Sequence, residues 1–240
     1  MRTKFQINIL PTQLNLKKIE EWLIEEEKNY NEGFYCNWTI IAKAFKNGAL
    51  ITFDFDEMPI GFLVWSRGEI HAEIDVLEIK PDFRNKGIGE FFFKQFSDYL
   101  KKNKFLVIKL FCAPKESKKF WKKMGFIKFP HRGFSEAKLT YFKPLINIQR
   151  KSKNRQPGHL IEIWNVEPHL KNNYSPKWTW NIKLNNDVLI LPIIHPCNSN
   201  WNMRWSKNGE TIKEDKVKYF DIEENRVDYS PFIYIEKLIE

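Results

Sequence analysis

Leu77-Glu78-Ile79-Lys80-Pro81-Asp82-Phe83-Arg84-Asn85-Lys86-Gly87-Ile88-Gly89-Glu90 is the stretch on which the fold turns. An apolar run stops at Pro81, a glycine-bearing turn fills 84–89, and from Ile88 onward Phe92, Phe96, Tyr99 and Leu100 recur on one helical stripe. Strand, glycine turn and amphipathic helix together make a holder for phosphate. The first amides of a helix lack acceptors and point outward, and glycines let an anion approach without a Cβ in the way. Arg84 and Lys86 add positive charge. Two other phosphate loops do not fit: no Gly-Lys-Ser/Thr follows, and Phe92 stands where a dinucleotide fold needs its third glycine.

Upstream, Phe5 to Leu10 alternates as a strand that ends at Pro11, and a helix is expected over about 13–29 with Leu16, Ile19, Trp22, Leu23 and Glu26 at helical spacing. Asn37 reads as the N-cap of a second helix whose apolar face is Ile40, Ile41, Ala44 and Phe45, with Gly48 as its stop. Ala49 to Phe55, Ile60 to Trp65 and Ile70 to Ile79 form an antiparallel meander with turns at Asp56-Glu57 and Arg67-Gly68. Downstream of the loop and its helix, Phe105 to Phe111 reads as a strand covered on both sides, 116–124 as a short helix stopped by Gly125, and Phe126 to Phe129 with Ala137 to Phe142 as a closing hairpin.

Set in that order of elements, Arg84-Asn85-Lys86-Gly87-Ile88-Gly89 resembles the Arg/Gln-x-x-Gly-x-Gly/Ala pyrophosphate loop of the GNAT superfamily of N-acetyltransferases. Leu77 to Pro81 stands at the family's usual distance before the loop, and Phe120-Trp121-Lys122-Lys123-Met124-Gly125-Phe126 is similar to the family's Phe-Tyr-x-x-x-Gly-Phe segment. The resemblance covers about residues 4–145. It implies an α+β fold, a mixed and mainly antiparallel sheet flanked by helices, and acetyl-coenzyme A as cosubstrate. Carried over by position, backbone groups of Leu77 and Ile79, on either side of Glu78, pair with the pantetheine arm. The amides of Arg84, Asn85, Lys86, Gly87, Ile88, Gly89 and Glu90 cradle the pyrophosphate, and Phe120 lines the channel.

Acetyl transfer to an amine needs something to take a proton from the ammonium form. Glu73, eleven residues before Arg84, matches the basic glutamate of the family's histone-acetylating branch, and Asp75 matches the acid of its small-amine branches. On a regular strand the two share one face and Glu78 takes the other. The competing reading for each is a strand carboxylate paired with a lysine. His71 is a further relay candidate, although a lone histidine at a strand start is usually just exposed. Trp121 departs from the pattern, because the family commonly has there the tyrosine that reprotonates the leaving thiolate, and an indole N–H is no acid in this pH range. Cys112 and Tyr141 are the other groups to consider for that step.

The chain has 240 residues, 42% hydrophobic, enough for one large domain or two small ones. No run approaches the ~18 apolar residues of a membrane span, and the first residues lack a signal peptide's apolar core, so a soluble cytoplasmic protein with no membrane partner is expected. Cysteines 36, 112 and 197 cannot complete a disulfide framework and are read as reduced. The net charge is +9, of which residues 1–150 carry 26 basic and 18 acidic side chains and 151–240 carry 13 and 12. Ten lysines between 101 and 128 face a single acid, Glu116. A solvated face and an anionic partner are both open readings of that run.

Lys143 to Gly158 changes to polar, Pro- and Gly-containing sequence, which sets a domain over 1–146, a linker over 147–158 and a small, mostly β domain over 159–240. Its expected strands are Leu160 to Trp164, Trp178 to Leu184, Val188 to Ile194, Met203 to Ser206 and Val217 to Ile222, with turns at 185–187 and 207–209. Tryptophans 164, 178, 180, 201 and 205 fall here, and core packing is favoured over a stacking platform for bases or sugars. His195-Pro196-Cys197 has no second pair at zinc spacing, so no metal is expected. This domain is left with three roles: acceptor binding, covering the active-site mouth, or homodimerisation. Two functions follow for the whole chain. One is N-acetyl transfer from acetyl-coenzyme A to a primary amine on a small molecule, a protein or an aminoacyl-tRNA. The other is a catalytically weak or inactive GNAT-like protein that engages nucleic acid through its basic surface.

Overall fold

The computed structural model describes residues 5–30, 33–132, 138–220 and 231–238. They fall into two compact units, Met1–Ile127 with Leu139–Leu145, and Lys128–Lys138 with Ile146–Glu240. Lys128–Lys138 thus groups with the second unit, although it lies inside the 1–146 span expected from composition.

In the first unit the elements run β1 (Phe5–Asn8), α1 (Gln13–Tyr30), α2 (Trp38–Lys46), β2 (Leu50–Phe55), β3 (Met58–Arg67), β4 (His71–Ile79), α3 (Ile88–Lys102), β5 (Val107–Phe111), α4 (Lys118–Lys123), β6 (Ile127–Lys128) and β7 (Thr140–Pro144). The sheet order is β1-β2-β3-β4-β5-β7-β6. All pairs given by their registers are antiparallel except β4 with β5, which is parallel. This is the mixed, mainly antiparallel sheet expected. β6 and β7 are neighbours and close this end of the sheet as expected, with β7 next to β5 and β6 at the edge. Ala137, expected to open that hairpin, lies outside the described residues.

Local chemistry explains the helix starts. Thr12 caps α1: the Asn15 amide donates to Thr12 Oγ1 at 3.3 Å and the Thr12 amide donates to Asn15 Oδ1 at 2.9 Å, a reciprocal box. Asn37 precedes α2 as expected, but its side chain makes no capping bond. Alternate residues of the sheet then feed two cores. Leu16, Ile19, Trp22 and Leu23 of α1 and Ile41 and Ala44 of α2 pack on Leu50, Phe62 and Val64. Phe92, Phe93, Phe96 and Leu100 of α3 pack on Ile51, Phe53, Leu63 and Ile74 from the other side. β5 is less covered than its sequence suggests, since Phe111 is exposed and Lys109 is only half-buried.

The second unit is mostly β: β8 (His159–Ile163), β9 (Trp178–Ile182), β10 (Leu184–Asn185), β11 (Val188–Pro196), β12 (Asn202–Lys207), β13 (Glu210–Lys216) and β14 (Phe232–Lys237). They form sheets ordered β13-β12-β8-β9 and β10-β11-β14. Both sheets feed one core holding Trp178, Trp180, Trp201, Trp205, Ile193 and Ile235. All five carboxy-terminal tryptophans are buried, which removes the stacking-platform reading. The strand expected at Val217 to Ile222 is displaced: β13 precedes it, Val217–Tyr219 is a 3-10 turn, and 221–222 lie outside the described residues. β13 is an edge strand, and its charged Glu210, Lys213, Glu214, Asp215 and Lys216 hide the apolar alternation by which strands are read. Residues 147–158 carry no helix or strand. They are tied down all the same, with the Gln149 amide on Pro192 O and the Ser152 amide on Thr179 O.

Gly68, in the β3–β4 turn, lies against the buried His71 ring, where a Cβ would stand 2.1 Å from ring carbon Cε1. Burial of His71 corrects the exposed position expected for it. Gly68→Ala should lower stability by about 1–3 kcal/mol, as overpacking does. Urea unfolding reads this as a lower midpoint, and an unchanged midpoint would show that the ring simply moves aside.

Candidate active site

β4 lies beside β5 for only four residues, from His71↔Val107 to Ile74↔Leu110. β5 ends at Phe111 while β4 continues to Ile79, so among the described residues no strand flanks Asp75–Ile79 on that side. The same point carries a bulge: Val64 pairs with Val76 and Trp65 with Ile74, leaving Asp75 as the extra residue. One extra residue reverses the parity of everything after it. Ile74 therefore joins the α3-side core, Val76 the α1/α2-side core, and Leu77 and Ile79 the α3 side again. Glu78 is consequently on the same face as Glu73 and Asp75, not on the opposite face that regular alternation implies.

Glu73 forms an ion pair with its register partner Lys109, whose Nζ lies 2.9 Å from Oε1 and 3.0 Å from Oε2. The lysine-paired reading of that carboxylate holds. Among the described residues Asp75 has no such ion pair. Withdrawal from water raises its pKa first and the Glu73 charge raises it further, while a hydrogen bond with Ser66 and the Lys109 charge oppose the shift. Asp75 also borders a cavity of about 630 Å³ whose walls include Ile40, Lys43, Trp65, Ser66 and Phe105.

Farther along β4, Glu78, Arg84 and Glu26 form a cluster that the sequence reading did not foresee. Arg84 Nη2 lies 2.7 Å from Glu78 Oε1 and also bonds Glu26 Oε1, and Arg84 Nε donates to Ile79 O at 2.8 Å. The Ile79 amide donates to Glu78 Oε1 at 3.0 Å. Glu26 is buried, and among the described residues its Oε2 has no hydrogen-bond partner. Burial pushes the Glu78 carboxyl up to about 7; Arg84 opposes that shift and Glu26 adds to it. Two consequences follow for the expected roles. The Arg84 side chain is turned into the protein and spends its charge on two carboxylates. Both backbone groups of Ile79 are engaged by the chain's own side chains, whereas among the described residues no side chain bonds the backbone of Leu77. The clue to Glu26 was already in the sequence, because it falls on the apolar stripe of α1 where a leucine would be ordinary.

The loop itself has the expected form. Asn85 and Gly87 take positive φ, 60° and 77°, and no atom lies within 4 Å of where a Gly87 Cβ would be. The first helical bond of α3 runs from the Phe91 amide to Gly87 O at 3.0 Å, so the amides of Ile88, Gly89 and Glu90 precede it and are free of intrahelical acceptors. Lys86 is exposed, and the Glu90 carboxylate is paired with Lys123. Phe120 stands beside Gly89, its ring 3.6 Å from where a Cβ would be. Trp121 is buried against Phe93, Phe120 and Phe126 and offers no hydroxyl in place of the family's tyrosine. In the second unit, His195 lies edge-on between Trp178 and Trp180, and burial holds its pKa well below the usual value. Burial pushes the Cys197 thiol up to about 12.

Glu78 makes the folded state pH-sensitive. Between its ordinary 4.5 and about 7 the unfolded chain releases the proton first, so stability falls as pH rises through that window. The slope is at most about 1.4 kcal/mol per pH unit. Glu78→Gln should flatten it in urea unfolding across the window, and equal slopes in both proteins would contradict the assignment.

Residues 14–126 match the family model described as the acetyltransferase (GNAT) family. Similar solved structures include Ard1 from Thermoplasma volcanium at 17% identity, which covers 59% of this chain and 98% of that one with a TM-score of 0.44. A GNAT-family acetyltransferase from Staphylococcus aureus MU50 is 15% identical over 60% of this chain and 100% of that one, TM-score 0.47. The PaiA N-acetyltransferase from Thermoplasma acidophilum, solved with coenzyme A, is 18% identical over 58% of this chain and 96% of that one, TM-score 0.43. No curated protein matches the sequence. No helix among the described residues is long and apolar enough to cross a membrane. The match to the acetyltransferase (GNAT) family falls within the first unit and takes in just under half of the chain, and the family model covers nothing after residue 126.

Proposed function

We propose that the first unit transfers an acetyl group from acetyl-coenzyme A to the nitrogen of a primary amine. The observation that carries this reading is the open edge of β4, which leads into a glycine loop and helix start with room for an anion, inside the span that matches the GNAT family. Acetyl-coenzyme A supplies the activated thioester carbonyl. The amides at the start of α3 hold its pyrophosphate, and the Leu77 backbone pairs with its extended arm. Asp75 accepts the proton that the ammonium must lose, directly or through one water, and its raised pKa suits it to that work. Glu73 is held by Lys109 and sets the field around Asp75. With Trp121 packed in the core, the departing thiolate takes its proton from water.

A second reading has one observation in its favour. Lys102, Lys104, Lys115, Lys119 and Lys122 are exposed, whereas Lys101, Lys109 and Lys123 are paired with Asp98, Glu73 and Glu90. A GNAT-like domain with weak turnover would use such a surface to hold nucleic acid, with binding that falls steeply as salt rises.

Thiol release from acetyl-coenzyme A with a panel of amines tests the first reading. Asp75→Asn should lower kcat about 10²-fold with cofactor binding retained, the scale expected for loss of a positioned base. Gly87→Glu should abolish cofactor-induced thermal stabilisation, because it fills the cradle and adds a like charge. Absence of both turnover and stabilisation in the unaltered protein would overturn the proposal.

A further inference from the structure

The second unit holds a cavity of about 720 Å³ between residues 155–158 and the outer face of the β8–β12 pair. Leu160 and Glu162 of β8 and Arg204 and Ser206 of β12 line it, alternating with Ile161, Ile163, Met203 and Trp205, which face the core. Its electrostatics are unusual. Glu162 is fully buried, and each of its oxygens is held by a different arginine. Arg155 donates to Oε1 from Nε at 2.9 Å and pairs with it electrostatically through Nη2 at 2.7 Å, and Arg204 donates to Oε2 from Nε at 3.1 Å and from Nη2. Arg204 is fixed further by stacking over Trp164, 4.9 Å from the ring centre.

These bonds use the same edge of both guanidinium groups. Among the described residues neither Nη1 donates a hydrogen bond, and both arginines line the cavity. One carboxylate against two guanidiniums leaves one positive charge, and both Glu162 oxygens are engaged by the pair. Next to them lie the Ser206 side chain and two glycines, Gly158 and Gly209, with open space where a Cβ would stand. A buried carboxylate that orients two planar forks costs desolvation, and a hydrophobic replacement of such a trio is often the more stable choice. The arrangement gains its use when the remaining fork edges meet an anion. Paired forks suit the several oxygens of a phosphate better than the two of a carboxylate. The cavity volume is that of a small-molecule site.

We infer that this cavity is a phosphate-binding site, taking either a phosphate monoester or the backbone phosphate of a nucleic acid. It is independent of the acetyltransferase reading, because every residue named belongs to the second unit.

The test is calorimetric titration of the full-length protein with inorganic phosphate, with acetate as the carboxylate control. Phosphate should bind and acetate should not. Arg155→Gln should weaken phosphate binding about tenfold, the loss expected when a charged hydrogen-bonded contact is removed, and Arg155→Lys should restore it only in part. Arg155 is the residue to change because its side chain is 60% exposed and Gln keeps an N–H donor for the buried Glu162; urea unfolding of the variant checks that the fold is retained. Gly87→Glu protein should bind phosphate at this site as the unaltered protein does, which separates it from the loop of the first unit. On the unaltered chain, phosphate should also shield Arg155 from phenylglyoxal, read by mass spectrometry. Single-stranded RNA with and without a 5′-phosphate then distinguishes the two sources: dependence on the end group means a monoester, and indifference means backbone. Equal phosphate binding by the unaltered and Arg155→Gln proteins, or no protection of Arg155, would overturn the inference.

Discussion

The parallel ladder between β4 and β5 stops at Ile74↔Leu110, and the chemistry available to the first unit depends on that stop. β5 is committed on its other side, where β7 pairs along its whole length to Phe111↔Thr140. β4 bends at the Asp75 bulge, since an unpaired residue sharpens local twist. The two strands therefore cannot stay parallel neighbours beyond four residues. What results is a run of backbone donors and acceptors on β4 that, among the described residues, has no strand beside it on that side. Its lower end faces the paired Glu73 and Lys109 with Asp75 beside them, and its upper end runs into the loop at Arg84.

The free edge is partly satisfied from within. Glu78 and Arg84 take the amide and carbonyl of Ile79, while Glu26 of α1 holds the same Arg84 Nη2 that Glu78 binds. An arginine between two carboxylates, one of them wholly buried, ties three distant pieces of the chain together: α1, the end of β4 and the start of the loop. The loop's first residue thus anchors the turn more than it charges it. Positive charge toward an anion is left to the helix amides and to Lys86.

Much of this was readable from local pattern. The spacing of apolar residues in α1, α2 and α3 located the helices because a helix buries one stripe whatever it packs against. Asn186, Asp187, Asn208 and Gly209 take positive φ at the turns expected for them. The loop's form was legible because it is set by glycine and backbone conformation, which sequence displays directly. Less was readable where the outcome depended on a partner distant in sequence. The face of Glu78 depends on one extra residue in a pairing between β3 and β4. Burial of Glu26 depends on Arg84, fifty-eight positions later. β13 went unseen because an edge strand needs charge more than it needs alternation.

The second unit shows the same division. Its tryptophans fix a mostly β core, since such large apolar side chains must be buried somewhere, and Trp178 and Trp180 alternate as one covered face requires. The sequence by itself therefore determined most of the elements, the glycine loop and the candidate acids, because these follow from periodicity and residue chemistry over a few neighbours. Tertiary structure alone decided which acids share a face, which charges cancel, and that Glu162 should hold Arg155 and Arg204 together. Those outcomes rest on strand register and on pairings across tens of residues, and a change of one residue in register inverts them.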